Sequence, residues 1–522
     1  MSRDILIGID AGTSVIKAVA FDLADGREIG CASRPNLYES RPDGAVEQDM
    51  ARTWADTAAV LAELAERIAN LPARAAALAV TGQGDGTWLV DRAGEPAAPG
   101  WLWLDSRAAR IVRGFERDGV RQALYERTGC GLNACNMSAQ LVWMKRNTPD
   151  VLARADSAMH CKDWLYFKLT GIRATDPSEA IFTFGDFRSG QYDDDVLAAL
   201  GLDDERRLLP DIVDGSVTTH PLSDEAARQT GLPAGLPVAL GFVDIVCTGL
   251  GGGAYAHGRK VGLSIVGSTG IHLRLFDRAE DMALPPEPSG YTIMVPIPGM
   301  ISRIQTNMAA TLNVDWIVGI ATQGALLAGN AADRATMLSR IDESVLTARP
   351  GSAVFHPYIH HAGERGPFLD AFARAQFTGL TADVTLPDLA RAVYEGLALA
   401  SRDCYGALGE PPAEIRIAGG AARSTAFKRI LASALGRPVR EGTLAEAGAA
   451  GAAMMAGVAI GAFAGMDEAV AAWVDPTLTG TVEPDPELAG LYDRLFDIYR
   501  TARQAMPPIW EQLAGLRAEG HP

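Results

Sequence analysis

The chain has 522 residues, of which 48% are hydrophobic, 21% charged and 7% aromatic. That length fits roughly two to four domains with sizeable cores, and leaves little role for disorder or disulfide stapling. Lys and Arg number 47 against 64 Asp and Glu, giving a formal charge of −17 and a pI near 5.0. The balance speaks against a nucleic-acid partner or an anionic membrane, both of which need basic surface. It still permits an anionic ligand held by backbone N–H groups and a metal.

In chain order, residues 5–10 read as a short apolar strand that ends in Asp10 and runs into Ala11-Gly12-Thr13-Ser14. Five apolar residues are too few for a secretory segment. A return strand at 15–21, an Asp25-Gly26 turn and a strand at 27–32 extend the first into a meander. Residues 51–69 and 105–128 have helical periodicity, and 76–81 and 236–241 read as buried strands. A boundary is expected just after Asp244, near Gly251-Gly252-Gly253, giving units of 1–246 and 247–522. A strand at 261–266, the turn Gly267-Ser268-Thr269-Gly270 and a strand at 271–275 then repeat the opening design, which suggests two related halves. Helices are expected at 388–408 and 425–435, with a strand at 414–418. The uncharged stretch 447–466 is mostly Ala and Gly with acidic flanks, and reads as an interior helix and not a membrane span. Residues 486–503 form an amphipathic helix with Leu488, Leu491, Tyr492, Leu495, Phe496 and Tyr499 on one side. Six cysteines, at 31, 130, 135, 161, 247 and 404, make neither a disulfide framework nor a zinc motif, which points to a reducing cytoplasm.

Glycine-containing turns between strands can present several N–H groups to phosphate oxygens. Gly12, Thr13 and Ser14 form one such turn and Gly267, Ser268 and Thr269 a second. Asp10 is suited to a hydrated Mg²⁺, an ion that uses one or two carboxylates and keeps waters. Gly419-Gly420 after the strand at 414–418 is a third glycine element, without the G-x-G-x-x-G spacing of a dinucleotide fold. Each of these turns also has a reading as plain structure.

Together the motifs resemble the FGGY carbohydrate kinases, of the actin/hexokinase/Hsp70-like superfamily, from about residue 5 to 503. The residues that carry the likeness are Asp10–Ser14, Gly82-Gln83-Gly84-Asp85-Gly86, Trp103-Leu104-Asp105-Ser106-Arg107, Lys162-Asp163 with Thr175-Asp176-Pro177-Ser178, Gly241-Phe242-Val243-Asp244, Gly267–Gly270, Gly363-Glu364-Arg365-Gly366-Pro367 and Gly419-Gly420. The resemblance implies an α/β fold of two RNase H-like (actin-like ATPase) domains with a catalytic cleft between them. It also implies ATP-dependent phosphorylation of a sugar or polyol hydroxyl, with ATP and Mg²⁺ required and homodimerisation a family habit. By the same resemblance Asp244 is the general base. Asp10, with Asp244, attends Mg²⁺, and the two turns with Gly419, Gly420 and Arg423 hold the nucleotide.

For the acceptor, Gln83, Asp85, Trp103 and Asp244 are the expected contacts, although Trp103 also reads as core and Asp85 as a turn cap. Gly84-Asp85 stands where xylulose-type kinases carry M-H and glycerol kinases R-E. Residues 82–91 with 101–105 are most similar to the branch that phosphorylates the four-carbon polyol erythritol. Pentulose or five-carbon polyol kinases are the alternative, and a catalytically silent ATP-binding carbohydrate sensor is another. His360-His361 reads as a loop pair, Cys247 as a packed thiol, and Arg423 and Lys428 either as approaching the nucleotide phosphates or, more plainly, as solvated surface.

Overall fold

The apolar run that opens the chain is a central strand. In the computed structural model, which describes residues 3–330, 333–409, 411–478 and 480–518, β1 (Ile5–Ala11) buries Ile5, Leu6, Ile7 and Ile9 completely. Burial on both faces is why it reads as a continuous apolar run and not as alternation. It pairs antiparallel with β2 (Val15–Asp22), which pairs with β3 (Glu28–Pro35). On its other side it pairs in parallel with β4 (Ala75–Gly82). The far edge is β5 (Thr219–Pro221), antiparallel to β6 (Pro237–Leu240), which lies parallel to β4.

The second sheet repeats this plan. Strand β7 (Val261–Val266) pairs antiparallel with β8 (Gly270–Phe276), while β9 (Tyr291–Met294) pairs with β10 (Ile301–Asn307), itself antiparallel to β8. Beyond β7 lie β11 (Glu414–Ala418) and β12 (Val439–Glu441), both parallel to it. A hairpin, a third antiparallel strand and two parallel strands therefore occur twice, and the opening hairpin of each half is the part that the duplicated turns predict.

Helix α1 (Met50–Arg67) packs on β2 and β3, with Asp49 accepting from the Arg52 N–H as N-cap. The helix expected over 105–128 is two: α2 (Ala109–Arg117) and α3 (Val120–Thr128). Asp118-Gly119 divides them, Gly119 at φ +77°, a conformation that no helix interior accommodates. After α3 come α4 (Met137–Asn147), α5 (Asp244–Gly251), α6 (Thr311–Leu327), α7 (Leu386–Ala407) and α8 (Thr425–Leu435).

The uncharged stretch supplies α9 (Ala447–Ala459), which is buried from Gly448 to Gly457. No described helix is long and apolar enough to cross a membrane. Although α9 follows the second sheet in sequence, it packs on β1, β4 and α5. The chain nearby stays with it: the Trp473 indole donates to the Leu23 carbonyl at 3.0 Å, and Lys17 pairs with Glu446 at 2.6 Å. A division after residue 246 is thus a division along the chain that α9 crosses in space. Helix α10 (Pro486–Ala505) buries Tyr492, Leu495 and Tyr499 against the second core, with Leu488, Leu491 and Phe496 beside them.

Candidate active site

Parallel neighbours in register bring separate loops to one edge. In the first sheet Asp10 lies beside Thr81 and Val80 beside Leu240, so the turns after β1, β4 and β6 emerge together. In the second, Ile265 lies beside Ala418, so the turns after β7 and β11 do the same. Ligands of open α/β sheets bind at these carboxyl ends. Between the two sets lies a cavity of about 620 Å³ whose wall includes Thr13, Gln83, Asp85, Trp103, Asp244 and Thr269.

The turns are built to accept anions. Carbonyls of Gly12, Thr13 and Ser14 are engaged by Asn36 and Gln48. The N–H groups of the same three residues, and of Ser268 and Thr269, have no protein partner among the described residues. Unpaired N–H donors at a loop are costly unless water or a ligand accepts from them.

Asp244 opens α5 on a loop pinned from three sides. Gly241 donates to the Val80 carbonyl at 2.8 Å, the Thr81 hydroxyl to the Phe242 carbonyl at 2.6 Å, and the Val243 N–H to Ser178 Oγ at 2.9 Å. Ser178 in turn donates to Asp176, which pairs with the buried Lys162. Burial pushes the Asp244 carboxyl up to about 7, and the nearby Asp10 carboxylate adds to the rise. Asp10 is raised to about 6, again chiefly by burial, with Lys17 opposing. Its enclosure comes from α9: a Cβ on Gly448 would stand 2.5 Å from Asp10 Oδ2. Among the described residues no three His, Cys, Asp or Glu side chains converge as a metal cage. Two neighbouring half-buried carboxylates are instead what a hydrated divalent cation carried on phosphates uses.

On the acceptor side, Asp85 stands at φ +56°, a left-handed conformation that costs a non-glycine residue about 1 kcal/mol or more. Asn136 Nδ2 donates to its Oδ1 at 2.6 Å, and burial raises its pKa. The preceding Gly84 is demanded by space, since a Cβ there would meet Val243 Cγ2 at 2.4 Å and Glu179 Oε1 at 2.8 Å. Gln83 donates to Gln48 at 2.8 Å while its own buried Oε1 has no partner among the described residues. Trp103 Nε1 donates to Thr13 Oγ1 at 2.8 Å, which ties the Trp103 segment to the turn after β1. Its segment is anchored by Arg107, which pairs with buried Asp105 and lies 3.3 Å from the Trp101 ring centre.

The sequence profile of the N-terminal domain of the FGGY family of carbohydrate kinases matches residues 5–251, and that of the C-terminal domain matches 295–460. The erythritol kinase of Brucella abortus (strain 2308) is 51% identical over 511 residues, covering 98% of each chain. The chain belongs to the FGGY family of carbohydrate kinases. The xylulose kinase of Escherichia coli (strain K12) is 30% identical over 87% of this chain and 90% of the relative. Among solved structures, xylulose kinase from Rhodospirillum rubrum superposes with a TM-score of 0.85 at 28% identity, covering 97% of this chain and all of that one. Gluconate kinase from Lactobacillus acidophilus, at 23% identity and a TM-score of 0.88 over 98% of this chain and 99% of that one, has the same fold. Two actin-like FGGY domains with the cleft between them are therefore the architecture, and the protein is a phosphotransferase to an alcohol group of a small carbohydrate.

Not every expected residue of this kinase reaches the cavity wall. Gly12, Ser14, Gly267 and Ser268 sit in the turns that carry Thr13 and Thr269, and Gly419 and Gly420 follow β11 beside the second turn. Arg423 is exposed and off the wall. Lys428 pairs with Glu441 at 2.7 Å, and Cys247 is a buried thiol directed to the Phe242 carbonyl. Sequence reading assigned no role to several wall residues: Asn133, Cys135, Tyr291, Asn307, His360 and Arg365. Of these only Arg365 carried a signal, through the G-E-R-x-P tract. Burial raises the neighbouring Glu364 to about 7, while it accepts from the Met308 N–H at 2.8 Å.

Proposed function

We propose that the kinase transfers the γ-phosphate of ATP to a terminal hydroxyl of erythritol. The observation that carries the chemistry is Asp244, a half-buried carboxyl on the same cavity wall as Thr13 and Thr269, poised near neutrality. A general base works best with a pKa near the operating pH. Asp244 accepts the hydroxyl proton as that oxygen attacks phosphorus, and the N–H groups of residues 12–14 and 268–269 accommodate the phosphate oxygens. Phosphoryl transfer asks mainly for such positioning and charge neutralisation. Asp10, with Asp244 through water, would hold the Mg²⁺ that accompanies ATP, whose charge offsets that of the phosphoryl oxygens. Gly419 and Gly420 give the adenosine a close backbone to lie against, and Arg423 stands at its margin. On the acceptor side Asp85 and Gln83 Oε1 accept from polyol hydroxyls and the Trp103 face covers the carbon chain.

Erythritol is supported by the identity with the Brucella abortus erythritol kinase and by the Gly84-Asp85 pair. A pentulose or five-carbon polyol is the second reading, favoured by the likeness to xylulose kinases. The free thiols support a cytoplasmic enzyme, and a homodimer is its expected assembly, measurable by light scattering. The test is a coupled ADP-release assay with Mg-ATP against erythritol, threitol, glycerol, xylitol, ribitol and the pentuloses. Turnover on erythritol far above the others is the expected result. Preference for a ketopentose overturns the tetritol reading, and ATP binding without turnover on any acceptor favours a sensor.

A further inference from the structure

We infer that the groove between α2 and α4 is a binding site for a small phosphate-bearing anion, separate from the catalytic cleft. Arg110, Arg113 and Arg117 recur along one face of α2, and Arg146 comes from the last turn of α4. All four are exposed and line one concavity of about 380 Å³. Gly114 helps form the wall, and nothing lies within 4 Å of where its Cβ would stand. Arg110, Arg113 and Arg146 have no hydrogen-bond or carboxylate partner among the described residues, whereas Arg117 pairs with its neighbour Asp118 at 3.0 Å. Four guanidiniums therefore face one carboxylate, in a chain whose formal charge is −17.

Like charges three or four residues apart oppose helix formation. An anion seated among them would remove that repulsion. Guanidinium forks match phosphate oxygens bidentately, which a cluster of lysines would not do. The groove is one open concavity of limited extent, so its size suits one or two phosphate groups and not a nucleic-acid backbone. It also has a short path to the acceptor: Ser106 and Ala109, at the start of α2, line the catalytic cavity.

The test is calorimetric titration of pyrophosphate into the full-length kinase with its cleft filled by ADP. The wild type is compared with Arg113→Ala/Arg146→Ala and with the charge-keeping Arg113→Lys/Arg146→Lys. One further site is expected in the wild type, weakened about tenfold or more by the alanine pair and less by the lysine pair. Raising the salt should weaken it further, since exposed charges are screened. Turnover without pyrophosphate should be unchanged in both variants, since neither position lines the cleft. No additional site in the wild type, or equal affinity in wild type and alanine pair, overturns the proposal. Tighter binding of poly-glutamate than of pyrophosphate through the same arginines also overturns it, assigning the groove to an acidic protein segment. Titration with inorganic phosphate distinguishes a monophosphate from a diphosphate preference.

Discussion

The two sheets follow one plan, yet their carboxyl ends carry different chemistry. Aligned on Thr13 and Thr269, both on the cavity wall, the first turn has Asp10 where the second has Val266. The first half also brings Asp85 and Asp244 to the cleft, while the second contributes Thr269, Glu364 and Arg365, with N–H groups in its own turn unpaired among the described residues. On the proposed function one scaffold divides the labour: the first half supplies the base and the acceptor contacts, and both halves supply N–H groups for phosphate.

The largest effect expected is from Asp244→Asn, which should lower kcat by about 10²–10⁴ with polyol affinity retained. Loss of less than about tenfold, in stopped-assay kinetics on folded protein, would remove Asp244 as the base. In the wild type, kcat/KM should rise with pH and level above about 7, where Asp244 is ionised. Next comes Gly448→Ala, whose methyl group would press on Asp10 Oδ2. Activity should fall about tenfold or more, because small displacements at a phosphoryl-transfer site are costly. An active Gly448→Ala enzyme would show that Asp10 has room to move.

Smaller effects sharpen the comparison of the edges. Thr13→Ala removes the acceptor of the Trp103 indole and should raise the polyol KM about fivefold, while Thr269→Ala should raise the ATP KM by a similar factor. Identical responses from both would break the division of labour. The smallest signal is thermal. A carboxyl raised from 3.8 to about 7 binds its proton more tightly when folded, so native stability falls as pH rises through that window. Asp244→Asn removes this loss, and its melting temperature should exceed that of the wild type at pH 8 and match it near pH 4.

Local features were legible in sequence because the signal is local. Each hairpin announces itself as an apolar run, a glycine and hydroxyl turn and a second apolar run, so Thr13 and Thr269 could be found before any coordinates. The strand at 414–418 and the helix at 425–435 were readable with their observed limits. By contrast β9 and β10, separated by a Pro-rich connection, have no comparable punctuation and were not anticipated. Nor does any spacing connect Asn136 with Asp85 or bring Arg365 to the wall, because both depend on loops folded from distant parts of the chain. The break between α2 and α3 lay in Asp118-Gly119, a turn signal outweighed by the periodicity on either side.

The placement of α9 bears on how this chain is made. Lys17 and Glu446 are 429 residues apart in sequence. Strand β1 is translated more than 400 residues before α9, yet α9 is a layer that covers it. At about 5–20 residues per second, the opening sheet waits on the order of half a minute or more with one face uncovered. A nascent chain in that interval exposes Leu6, Ala77 and Ala79, residues that end in the core shared with α9. Completion of the first half is therefore a late event in synthesis, and a ribosome stalled before residue 447 would hold a sheet whose partner has not yet been built.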